Sequence, residues 1–255
     1  MGAPSPDADL QAFLLRMGDS CLILGHRVSE WCGHAPALED DIAMANVALD
    51  LIGHTRLWLE LAGEVEGAGR SADDLAFLRD AGGFRNVLLV ELPNGDFGNT
   101  LMRQFLFDAW HVPKLRGLAA SSDVRVAGVA QTAVREANYH LSRSTDLVIR
   151  LGDGTAESHG RMQAALDRLW PYTFDLLDVD DGEAALAGVG VVPRAAEVAG
   201  AWRDHVETAL AEATLVAPAD GPEHRGGRPG LHTEHIGYIL AEMQFLQRAY
   251  PGAVW

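Results

Sequence analysis

An acid three residues ahead of a histidine occurs once in this chain, at Asp108-Ala-Trp-His111. On a helix that spacing sets both side chains on one face. A dinuclear metal centre in a four-helix bundle uses such a unit twice and adds a Glu from each of two further helices. The other helical histidines lack the acid: His54 has Leu51 at that position and His140 has Ala137. Neither apolar side chain can ligate iron, so the pattern implies a helical bundle whose metal centre has been dismantled. His54, Asp108, His111 and His140 are expected as relics of that centre rather than as ligands, and no catalytic residue is assigned.

Four-residue spacing adds Asp50 with His54, Glu136 with His140 and Glu30 with His34, pairs that share a helix face but aim differently. Two alternatives follow from these groups. One is an oxygenase with an unorthodox iron site built from Asp50, His54, Asp108, His111, Glu136 and His140. The other is a metal-binding or storage protein of ferritin-like type. His232-Thr-Glu-His235 lacks the H-E-x-x-H spacing of a zinc helix. It reads better as a helix start, with Thr233 and Glu234 near the positive end, and leaves a zinc hydrolase as a distant reading. No Gly-rich phosphate loop, nucleophile elbow or Cys-His-Asn signature appears.

The elements that must position these residues are helical. Met44, Val47, Leu51, Trp58, Leu59 and Ala62 recur on one face of a segment from about Leu38 to Glu64, and similar periodicity runs almost everywhere. A first long helix is expected over Leu10 to Trp31, and short helices within Leu75 to Glu91. Pro93-Asn94-Gly95 forms a turn, after which Asp96 or Asn99 caps a helix reaching about Ala120. Ser122-Asp123 starts the next, which Gly152-Asp153-Gly154 ends. Thr155 to Leu177 is helical, with Pro171 kinking or ending it near Trp170. Val179 to Val192, rich in Asp and Gly, is expected to be irregular. Arg194 to Leu215 is helical again, and a last helix runs from near His232 to about Arg248. The expectation is one all-α domain over residues 1–255: an antiparallel four-helix bundle over about 10–177, with additional C-terminal helices over about 194–249.

The chain of 255 residues, 48% hydrophobic, can bury a sizeable core. Its net charge of −16 would repel a phosphate backbone, so nucleic-acid binding is disfavoured. All but one of its 20 basic residues are Arg, which leaves room for a local cluster that meets a small anion. Cys21 and Cys32 are too few for a disulfide framework. The opening MGAPSPDADL is unlike a secretory signal, and no apolar stretch approaches a membrane span. A cytoplasmic protein is expected.

The segments LRMGDSCLILGHRVSEWCGHAP, DLIGHTR, DDLAFLRD, LLVELPNGDF, FDAWHV, EANYH, LWPYTFDLLD and GLHTEHIGYILAEMQFLQRAYPGAVW together resemble the C subunit family of bacterial phenylacetyl-CoA epoxidases. Such an epoxidase is a multicomponent NADPH-dependent oxygenase of aerobic phenylacetate breakdown. The resemblance covers nearly the whole chain. It implies a ferritin-like fold and a non-catalytic role beside a catalytic A subunit that carries dinuclear iron, with other epoxidase subunits and a reductase as further partners. No cofactor is implied in this chain itself. In the catalytic relative the matching helices carry Glu-Ala-Gly-His and Glu-Ser-Phe-His, where this chain has Leu51-Ile52-Gly53-His54 and Ala137-Asn138-Tyr139-His140. The resemblance also implies that two stretches approach the CoA part of phenylacetyl-CoA: Gly83, Phe84, Arg85 and Asn86, and then Ala184, Ala185 and Leu186. Phe84 would pack on an adenine face and Arg85 would meet a phosphate.

If His111 fills core volume, His111→Leu should melt higher than His111→Ala in thermal denaturation. The reverse order would show that its polarity matters more.

Overall fold

The computed structural model describes residues 6–219 and 221–253. Residues 1–5, part of the segment read for a targeting signal, lie outside them. So do residue 220 of the Gly/Pro-rich loop and residues 254–255. Among the described residues every regular element is helical, and the fold is all-α and ferritin-like. In chain order the helices are α1 (Pro6–Ser29), α2 (Leu38–Glu66), α3 (Ala72–Phe77), α4 (Phe97–Leu118), α5 (Val124–Gly152), α6 (Ala156–Leu169), α7 (Thr173–Leu176), α8 (Asp181–Gly188), α9 (Ala195–Glu212), α10 (His235–Met243) and α11 (Phe245–Ala249). No described helix is long and apolar enough to cross a membrane. The chain forms two compact units, each discontinuous in sequence.

The first unit takes the chain up to Gly33, Asp41–Pro93 and the segment from Gly226 onward. Here α1 and α2 run antiparallel at very short range. A Cβ on Gly18 would lie 2.7 Å from Leu59 Cδ2, and one on Gly25 would lie 3.1 Å from Ile52 Cδ1. Thr55 Oγ1 adds a bond of 3.3 Å to the Gly18 carbonyl. After α2 a capping box of Ser71 and Asp74 starts α3. Two 3-10 turns follow, Ala81–Gly83 and Leu88–Glu91. The C-terminal segment buries Ile236, Ile239, Leu240 and Met243. It does not form one helix from His232 to Arg248: His232 and Thr233 are held by side-chain bonds before α10 begins. At the junction of α10 and α11, buried Gln244 donates through Nε2 to the carbonyls of Ala76 (3.0 Å) and Arg79 (2.9 Å).

The second unit takes His34–Asp40 and Asn94–Arg225. Asp96 caps α4 by accepting from Asn99 N at 2.9 Å, and Asp123 caps α5 by accepting from Arg125 N at 2.9 Å. The two helices pack antiparallel. The stripe of α5 that faces inward is Val126, Ala130, Ala133, Ala137, His140, Ser144 and Val148, mostly small residues that allow close approach. Trp202 of α9 donates from Nε1 to the Leu106 carbonyl at 3.1 Å. Pro171 ends α6 as expected, with a 3-10 turn over Trp170–Tyr172. The stretch expected to be irregular contains α8 instead, because Asp180 caps it, accepting from Glu183 N at 2.8 Å, and Ala-Ala-Leu-Ala then favours the helix.

Gly63 in α2 faces the Arg70 carbonyl so closely that a Cβ would lie 2.3 Å from the oxygen. Gly63→Ala should therefore destabilise the protein by roughly 1–3 kcal/mol in chemical denaturation, whereas a helix-interior Gly→Ala change in open space would stabilise it.

Candidate functional site

Asp108 and His111 project inward from α4, and His140 from α5; all three are buried. His54 is buried on α2 of the first unit. Asp108 accepts from Gln104 Nε2 at 2.7 Å and from Ser144 Oγ at 2.9 Å. Burial pushes its carboxyl up to about 8, and neither these neutral donors nor the more distant Arg143 charge offsets that. Arg143 is itself paired with Asp40 at 2.6 Å. His111 packs its ring against Phe107, with centroids 5.0 Å apart, and against Trp110 at 6.2 Å. Asp108, His111 and His140 do not bring three ligand atoms within 4.8 Å of one another.

A dinuclear iron centre needs carboxylates that stay ionised and bridge or flank the metals. At the two helical positions where they would stand, this chain has Leu51 and Ala137, 0% and 1% exposed. The one acid remaining in the pattern, Asp108, is held in its neutral form near pH 7 by its surroundings. The donor set does not fit such a centre.

The first of the two stretches that the resemblance linked to CoA, Gly83 to Asn86, lies in the first unit, where its backbone is held from several sides. Asp19 Oδ2 accepts from Arg85 N at 2.8 Å, and Ser20 Oγ accepts from Val87 N at 3.2 Å. Arg79 Nη1 donates to the Gly83 carbonyl at 2.9 Å, and His232 Nε2 lies 3.1 Å from the Phe84 carbonyl. Phe84 is fully buried, with the Arg79 guanidinium 4.4 Å from its ring centroid. Asn86 is fully buried and donates to Glu91 Oε1 at 2.8 Å. Gly83 and Arg85 are half-buried. Arg85 Nη1 donates to the carbonyls of Gly82 (2.8 Å) and Phe84 (2.7 Å).

The second stretch lies on α8 in the second unit. Ala184 and Ala185 are exposed and Leu186 is buried. The buried Lys114–Glu183 pair ties α8 to α4. An open cleft of about 310 Å³ borders Ala184, Ala187, Gly188, Pro193 and Arg194.

Sequence reasoning missed the buried charges that organise these stretches: Asp19 with Arg79, Glu91 with His232, and Lys114 with Glu183. The signal was present for two of them. Asp19 and Glu91 are single acids inside the apolar runs around LLRMGDSCLIL and VLLVELP, where a charge needs a buried partner.

All-α architecture with long antiparallel helix pairs defines the class, a ferritin-like helical protein. The chain belongs to the phenylacetic acid catabolic protein family, whose model matches residues 3–255. It is 46% identical over 246 residues to the C subunit of the 1,2-phenylacetyl-CoA epoxidase of Escherichia coli (strain K12), a match that covers 96% of this chain and 99% of that protein.

The neutral Asp108 predicts a pH dependence. Its folded value lies above that of an unfolded aspartate, so its contribution is complete below about pH 4. Stability then falls as pH rises towards about 8, by up to about 1.4 kcal/mol per pH unit. Asp108→Asn should flatten that decline in denaturation midpoints, and the variant should gain on the wild type most at pH 8.

Proposed function

We propose that this chain is the C subunit of a 1,2-phenylacetyl-CoA epoxidase, a non-catalytic structural subunit that supports a catalytic A subunit and helps to bind the CoA thioester. The observation that carries this reading is the pair of buried apolar residues, Leu51 and Ala137, at the positions of the missing glutamates. Family membership along nearly the whole chain supports it, as does the name of the Escherichia coli relative. The oxygen chemistry would belong to dinuclear iron in the partner, with electrons from a separate reductase. The work of this subunit would be to shape and hold, in the cytoplasm, without nucleic acid or membrane.

Within that reading the two stretches divide their labour by exposure. Arg85 is the group suited to a CoA phosphate, through a planar fork of donors on a fixed backbone. Ala184 and Ala185 would give a small, smooth helix face for close approach. The buried Phe84, Asn86 and Leu186 would hold the backbone beneath them, Phe84 under the Arg79 guanidinium rather than on an adenine. The Lys114–Glu183 pair fixes α8.

The test is co-expression with the catalytic subunit, followed by separation of the chains and iron analysis of each. Iron should be found in the partner and close to none in this chain. The complex with reductase should convert phenylacetyl-CoA while this chain with reductase does not. Stoichiometric iron in this chain, lost on changing His54, Asp108 and His140 together, would sink the proposal.

A further inference from the structure

Glu91 is fully buried and accepts four hydrogen bonds. Oε1 takes Asn86 Nδ2 at 2.8 Å and His232 Nδ1, and Oε2 takes Thr233 N at 2.8 Å and Thr233 Oγ1 at 2.6 Å. Thr233 Oγ1 accepts in turn from His235 N at 3.3 Å, which leaves its own proton for Glu91. Every acceptor site of the carboxylate is filled by a donor, so the group has no place for a proton. The other face of the His232 ring presents Nε2 to the Phe84 carbonyl at 3.1 Å. A carbonyl and a saturated carboxylate both demand N–H, and only the imidazolium carries two.

We propose that His232 is a positioning residue: as an imidazolium it locks the C-terminal segment to Glu91 and to the Phe84 carbonyl, and so holds the loop Gly83–Asn86 in one conformation. The charged groups around it are consistent. Asp19 lies on α1 and holds Arg85 N. Arg27 of α1 donates to the Glu91 carbonyl at 2.8 Å. Arg79, beyond α3, is paired with Asp19, and Arg85 shares the Phe84 carbonyl with the His232 ring. Burial works against the charged ring, yet the bond and charge of Glu91, the Phe84 carbonyl and the Asp19 charge together raise the histidine above its ordinary value. The lock is therefore fully closed below about pH 6.5 and is lost as pH rises through the raised folded value. Loss of the proton would leave either Glu91 or Phe84 facing a lone pair and release the strand between them.

The consequence for substrate rests on the proposed CoA role of this loop, so two measurements are needed. Hydrogen exchange on the full chain tests the lock alone, at the amides of Arg85, Val87 and Thr233, corrected for intrinsic rates. In the wild type their protection should fall as pH is raised from about 6 to about 9. His232→Gln should show low protection at every pH. Flat wild-type protection would overturn the lock even if the variant failed to fold. In the assembled epoxidase, His232→Gln should raise KM for phenylacetyl-CoA roughly tenfold, the scale of one charge-assisted bond, with kcat little changed. An equal fall in kcat, or an unchanged KM while Arg85→Ala raises it, would overturn the positioning role and leave the CoA reading intact. An unchanged KM in both variants would overturn the CoA reading, with the lock judged by exchange alone.

Discussion

A negative charge at Glu91, out of reach of water, sets the arrangement of the first unit. Desolvating a carboxylate costs several kcal/mol unless cations and donors surround it closely. Two segments supply them, Asn86 from the loop and His232 with Thr233 from the chain ahead of α10, while Arg27 from α1 holds the Glu91 backbone carbonyl. The C-terminal segment, distant in sequence from Glu91, is thus fixed by the same group that anchors the loop. Asp19 repeats the solution one layer away, where Arg79 neutralises it and also covers Phe84 and reaches the Gly83 carbonyl. The loop between these two acids is defined almost entirely by bonds to its backbone. Its sequence can therefore vary at exposed side chains without changing its path.

The second unit meets the same cost in two ways. Lys114 and Glu183 form a buried pair, which fixes α8 on α4. Asp108 lacks such a partner and is kept neutral instead, with Gln104 and Ser144 bonded to its oxygens. A neutral acid can persist in a core where an ionised one could not. That distinction separates a buried polar contact from a metal ligand, although both use the same residue type at the same spacing.

Periodicity and punctuation made most of the fold legible from sequence. The long helices, the caps at Asp96 and Asp123 and the stop at Pro171 follow from local rules. Helix α8 was hidden because two glycines and a run of aspartates outweighed the single cap at Asp180. The break between α10 and α11 was hidden because its cause, Gln244 reaching the carbonyls of Ala76 and Arg79, lies far away in sequence. For the candidate site, the single acid-x-x-His unit at Asp108 and His111 could be counted directly. The partners of Asp19, Glu91 and Glu183 could not, since a buried charge announces a need for a partner without naming it.

On the proposed reading, apolar residues at 51 and 137 beside histidines at 54 and 140 have one physical cause. A histidine in a core can discard its charge and stay as a flat ring, and the His111 ring packs against Phe107 and Trp110. A glutamate at position 51 or 137 would have to keep a proton or find a cation, and its surroundings are made for neither. Leu51 fills the interface with α1 beside Gly25, and Ala137 belongs to a stripe of small residues that draws α5 onto α4. Without metal, each glutamate would be an uncompensated buried charge costing several kcal/mol, whereas each histidine costs little. On the proposed reading, loss of metal binding would favour discarding the acids first. Asp108 is the permitted exception, because Gln104 and Ser144 give it neutral company.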